Sequence, residues 1–245
     1  MDGYRYIVVL WVVFQLLWIT PVYSSEWSYQ GDTGPQYWAS ISKEFGACAG
    51  FQQSPININH VYKAELSDIE TNYNASHLNI VNSGHAIQVN YNVGSTMLFN
   101  GKQFKLKQFH FHTPSEHTLK GKAAPLEAHM VHKAEDGEIA VIAIFFQKGD
   151  KNKVVDRIWA NIPQKAGAKS FVDTKIDVND LLPAIQAYYF YQGSLTTPPC
   201  NEIVNWIILK NKVSISEDQI ERISSIIEGN ARPVQPLNRR FVLEK

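Results

Sequence analysis

The chain has 245 residues, 44% hydrophobic and 19% charged, which is enough apolar material for the core of one large domain or two small ones. Its 23 Lys and Arg residues balance 23 Asp and Glu, with no long run of like charge, which argues against nucleic acid or an acidic membrane surface as partner. A small neutral substrate is compatible with this balance.

From the N-terminus, the first element is the apolar run Tyr6 to Ile19, preceded by Arg5 and followed by Val22 and Ser24 at signal-peptidase spacing. It falls short of the about 20 residues a spanning helix needs. Residues 1–24 are therefore expected to be a cleaved secretory signal, an uncleaved anchor being the alternative. Residues 25–245 are then one mature domain, periplasmic or secreted, with no stable membrane insertion after cleavage. In an oxidising compartment the only two cysteines, Cys48 and Cys200, are most simply one disulfide; two separately buried thiols are the alternative. Asn74-Ala75-Ser76 is a glycosylation sequon that matters only in a glycosylating host.

Short runs of alternating or continuous apolar character follow: HLNIVN, AIQVNYN, TMLFN, QFKLKQFHFH, LEAHMVHKA, IAVIAIFFQKG and EIVNWIILKN. Turn signals at Asn82-Ser83-Gly84, Asn100-Gly101 and Asp136-Gly137 separate them, which predicts a mostly antiparallel β-protein. Helices are few. VVDRIWANI from Val154 is a short candidate. The clearest begins at Ser216 with Gln219 as its capping-box partner, a staple from Ile215 to Ile220, an Ile220, Ile223, Ile226, Ile227 stripe, and Gly229 as its stop.

Within this frame, His110 and His112 share one face of a strand while Phe109 and Phe111 share the other. A half-buried packing pair is the plain alternative to a metal site, which needs at least one further ligand. The run EAHMVH offers one: parity puts Glu127, His129 and Val131 together and His132 opposite. Three neutral imidazoles would leave the full double charge of a bound ion available to acidify water.

The segments QSPINI, NSGHA, QFHFH, SEHT, EAHMVH, YQGSLTTPPC and RPVQPLNRR, in this order from Trp27 to about Arg240, resemble those of α-class carbonic anhydrases of the exported bacterial type. The resemblance implies a mainly β fold, a large twisted and mostly antiparallel sheet with a few short peripheral helices. It implies Zn2+ on His110, His112 and His129, with Gln108, Glu127 and the Asn230 carbonyl holding those rings, and reversible hydration of carbon dioxide to bicarbonate. Thr196 and Glu116 form a relay explained by their chemistry: if the Thr196 hydroxyl accepts a hydrogen from the nucleophile, its own proton must go to an ionised Glu116, which can only accept. By resemblance Val131, Val141, Leu195, Thr196, Thr197 and Trp206 line the substrate pocket, His85 shuttles protons, and Tyr29 orders the connecting waters. Ser83 and Gln88 stand where many relatives carry asparagine, so the water network is expected to differ. Two alternatives are a non-catalytic binding module and a zinc esterase side activity; intact ligands, Thr196 and Glu116 argue against the first.

Overall fold

A computed structural model describes residues 26–183, 187–227 and 229–245; the expected signal at 1–24 lies outside them. Among the described residues a thirteen-stranded sheet dominates, with a three-stranded sheet beside it. The seven strand-like runs all form strands of the larger sheet. Ser76–Asn82, Ile87–Asn90, Lys102–His112, Leu126–Lys133 and Ile139–Lys148 lie side by side, each antiparallel to the next. Val204–Leu209 then joins in parallel, and Tyr188–Gly193 pairs with it antiparallel. The mostly antiparallel expectation therefore holds, with parallel joints toward the far side of the sheet.

Local sequence explains these elements. Ser76–Asn82 alternates buried and half-buried positions because one face packs on the core. Ile139–Lys148 reads as an apolar run because both its faces are covered. Asn100 and Gly101 take φ of 51° and 72°, the doubly positive geometry of the tight turn that suits a twisted hairpin. That turn joins Thr96–Phe99 to Lys102–His112 and so begins the histidine-bearing strand.

Two helices cover one face. Asn152 caps Lys153–Trp159, accepting from the N–H groups of Val154 and Val155. Ser216 and Gln219 form the expected reciprocal box at the start of Glu217–Ile226. The Trp159 indole donates to the Gln219 carbonyl at 2.8 Å, tying the helices together. Ile215, Ile223 and Ile227 are buried, and Ile220 and Ile226 pack at the rim of the same core. The helix ends earlier than the Gly229 stop suggests: Ile227 is already extended (φ −125°, ψ 107°), which directs the chain toward Asn230. A second, smaller core lies on the opposite face of the sheet and includes Val141, Ala143, Phe145, Tyr191, Trp206 and Ile208.

Candidate metal centre

The site begins with an irregularity in strand Lys102–His112. Phe104 and Leu106 face the main core at even positions, yet farther along the odd-numbered Phe109 and Phe111 do so. The register explains the switch: Val131 faces Gln108 while His132 faces Leu106, so Lys107 is an extra residue in a β-bulge. The bulge releases His110 and His112 to the opposite face while both phenylalanines stay fully buried, each such burial contributing roughly 1.5–3 kcal/mol. Cross-strand pairing then lines up Gln88, His110, His129, Ala143 and Ile208. The next row is Gln108, Val131, Val141, Trp206 and Tyr191. Polar ligand candidates thus sit beside an apolar row.

One ring nitrogen from each of His110, His112 and His129 lies within 4.8 Å of the others. Their partners set which nitrogens those are. His110 Nδ1 donates to Gln108 Oε1 at 2.9 Å, and His112 Nδ1 to the Asn230 carbonyl at 2.8 Å. A carboxylate only accepts, so His129 Nε2 donates to Glu127 Oε1 at 2.9 Å. The unprotonated lone pairs are therefore His110 Nε2, His112 Nε2 and His129 Nδ1. Burial, reinforced by the neighbouring imidazoles, holds His110 well below the usual imidazole pKa; burial lowers His112 as well. Both rings are neutral and able to ligate.

The buried His112 Nε2 and Glu116 Oε2 have no hydrogen-bond partner, and they lie 3.5 Å apart. Two electron-pair donors facing each other in a dry interior are costly unless a cation stands near them. The donor set fits a divalent transition metal with an open position. A second cluster, His117, Glu127 and His129, also has the spacing of a metal site. It is a closed hydrogen-bond network instead: Glu127 accepts from the backbone N–H groups of Glu116 and His117 and from the rings of His117 and His129. Burial alone would raise the Glu127 pKa, but the two facing imidazoles outweigh it and hold the carboxyl far below its ordinary range. The Tyr191 hydroxyl extends the network, 2.7 Å from His117 Nε2 and 2.8 Å from Ser54 Oγ.

Glu116 Oε1 accepts from the Arg232 N–H at 2.9 Å. The structure does not join Oε2 to Thr196: that oxygen is unpartnered, turned toward His112 and, at 3.9 Å, His129 Nδ1. Thr196 itself is buried in a loop held at both ends. Ser194 N–H donates to Ser54 Oγ, the Trp206 indole to the Ser194 carbonyl, and Cys200 N–H to the Thr197 carbonyl. Gly193 is required where the loop begins, because a Cβ there would lie 2.2 Å from Ser54 Oγ. The expected disulfide joins Cys48 to Cys200 and closes the loop onto the N-terminal segment.

Val141 and Trp206 are buried in the smaller core cluster, and Val131 and Leu195 are partly buried and pack against it. Thr197 is half-buried beside Thr196. His85 stacks on Trp27, ring centroids 4.0 Å apart at 15°, and its carbonyl accepts from Asn230 Nδ2. Tyr29 lies 6.3 Å from the His85 ring; its buried hydroxyl has no partner, and burial raises its pKa. His117, Tyr191, Ser54 and Arg232 were assigned no role from sequence. All four lie in recognised segments, but only the fold shows that they support Glu127 and Glu116. His132 faces the main core, as its parity predicts, with Nε2 2.7 Å from the Tyr73 hydroxyl.

Comparison with known proteins bears on this geometry. The eukaryotic-type carbonic anhydrase family model matches residues 33–245. A carbonic anhydrase of Klebsiella pneumoniae is 40% identical over 227 residues, covering 91% of this chain and 92% of that protein. One from Neisseria gonorrhoeae is 42% identical over 223 residues, covering 90% and 88%. The solved complex of the α-carbonic anhydrase from Thermovibrio ammonificans with the inhibitor sulfanilamide superposes with a TM-score of 0.87 at 43% identity, over 89% of this chain and 98% of that one.

Proposed function

The chain belongs to the eukaryotic-type carbonic anhydrase family and is an enzyme of reversible carbon dioxide hydration, and from this premise we propose that His110, His112 and His129 hold zinc at its active site. The observation that carries the assignment is the convergence of three ring nitrogens whose lone pairs are freed by three separate hydrogen bonds. When bound, zinc supplies the Lewis acidity that brings deprotonation of water into the neutral pH range.

The protein's own groups aim and clear the reaction. Arg232 N–H occupies Glu116 Oε1, so Oε2 alone is left to receive the Thr196 proton. A threonine that donates there turns only lone pairs toward the nucleophile, whose hydrogen then points at Thr196 and whose own lone pair points at the substrate. Val131, Val141, Leu195 and Trp206 form a wall with little directional bonding, suited to a small apolar molecule. Thr197 extends that wall, Tyr29 orders water beneath His85, and His85 accepts the proton that each turnover releases.

The test is His129→Ala, measured for zinc per chain and for carbon dioxide hydration by stopped flow. Loss of both is expected with the fold retained, because the two cores do not include the metal. Normal zinc content with normal turnover would overturn the assignment.

Export belongs to the same reading. The disulfide suits an oxidising compartment, and among the described residues no helix is long and apolar enough to cross a membrane. Intact-mass analysis of protein from the periplasm or medium should show a chain beginning at residue 25; a chain retaining Met1 would refute processing.

A further inference from the structure

A second concavity, with no histidine in its lining, is a cavity of about 870 Å³ lined by Phe51, Phe190, Tyr191, Arg239, Phe241 and Leu243 among others. None of its lining residues is a carboxylate, and Arg239 and Arg240 are its only charges. The two arginines differ in what they do. Arg240 is committed to structure, donating to the carbonyls of Leu237, Gln192, Gln53 and Pro236 and lying over the Tyr191 ring at 5.5 Å. Arg239 is exposed, and among the described residues no hydrogen bond or ion pair engages its guanidinium.

The aromatic lining is unusual as well. Phe51 and Phe241 are 79% and 64% exposed, and Tyr62 stands edge-on to Phe241 at 5.3 Å. Scattered apolar residues on a surface need no explanation, but two such rings gathered on one concavity beside an unpaired cation do. The volume is within the range of sites for small organic ligands, which combine apolar walls with a few polar groups that fix orientation. A bare inorganic anion would leave the rings wet, and a neutral apolar molecule would leave the guanidinium unused. We propose that this cavity is a binding site for a free amphipathic organic anion, an aryl or acyl carboxylate whose apolar part lies between Phe51 and Phe241 and whose head group pairs with Arg239. Arginine suits that role because its planar fork matches a carboxylate bidentately and stacks on aromatic rings.

The probe is anilinonaphthalene sulfonate, an aromatic anion whose fluorescence rises on apolar burial, titrated into the zinc-loaded enzyme. One saturable site is expected. Arg239→Glu and Phe241→Ser should each weaken it about tenfold or more, the scale of one lost charge-assisted bond or one lost aromatic contact. Both positions are exposed and outside the catalytic machinery, so carbon dioxide hydration should persist and certify folding. His129→Ala should leave the titration unchanged. Binding that is lost in His129→Ala but kept in Arg239→Glu would put the anion in the catalytic cleft and overturn the proposal. So would a titration with no saturable site, or sedimentation showing that the cavity residues instead join two copies of the chain.

Discussion

Glu127 shows how much of the centre depends on one side chain that touches no substrate. Its carboxylate accepts four N–H groups while fully buried, and one of them fixes the tautomer of His129. An amide in its place must present its own N–H to some of those donors, leaving them unsatisfied. Glu127→Gln should therefore weaken zinc about 10–100-fold, the usual scale for partners that orient a ligand. Competition with a chelator measures it, and unchanged affinity would show that His129 needs no such support. His85 is a different case, because it acts only after the chemistry. Partial burial lowers its pKa, against a raising influence from Glu26, so the neutral, proton-accepting form prevails at pH 7. In dilute buffer His85→Ala should lower kcat about tenfold or more while kcat/KM for carbon dioxide stays nearly constant, and added imidazole should restore much of the loss. A parallel fall in both constants would exclude the shuttle role and direct attention to Ser83 and Gln88, the departures nearest that route.

At the scale of elements, the catalytic strand shows both what the sequence reveals and where it stops. HFH and EAHMVH gave the facing of all three histidines, because alternation is a local property of a strand. The bulge at Lys107 was also written in the sequence, in the switch of core residues from Phe104 and Leu106 to Phe109 and Phe111, but it goes unnoticed unless the run is read to its start. Lys169–Ile176 was not anticipated because, as an edge strand, it is mostly exposed and polar. The Thr196–Glu116 relay depends on long-range placement of a loop, which no periodicity encodes; the structure buries both residues but leaves Glu116 Oε2 unpartnered. The bulge makes a paired prediction. Deleting Lys107 restores simple alternation and leaves Phe109 inward and His110 outward, so that variant should fold and bind zinc. Inserting one alanine between Gln108 and Phe109 should turn both histidines into the core and both phenylalanines out of it, a slip that moves every following side chain to the wrong face. Soluble yield and zinc per chain distinguish the two. A tolerated insertion together with an insoluble deletion would refute the parity argument.

For the whole molecule, the consequential group is one that takes no part in catalysis. His132 is fully buried in the main core, and burial pushes its pKa down to about 4, the backbone of Ala140 and Met130 offsetting only part of the effect. The unfolded chain titrates at the ordinary value of about 6.5. Between these two values the unfolded state binds a proton that the folded state refuses, so stability must fall as pH drops from about 6.5 toward 4 and level off below that. A difference of that size corresponds to about 3 kcal/mol in full, most of it lost by pH 4.5, a large part of a typical folding free energy. Urea unfolding at pH 7 and pH 4.5, compared between the wild type and His132→Gln, isolates this share, because the other imidazoles and the carboxylates titrate in both proteins alike. The variant starts less stable, having disturbed the contact with Tyr73, but its further loss on acidification should be smaller than the wild type's by about 2 kcal/mol. Equal losses in the two proteins would mean that His132 charges as readily inside the core as outside it, and acid sensitivity would then have to originate in the histidines and glutamates of the metal centre.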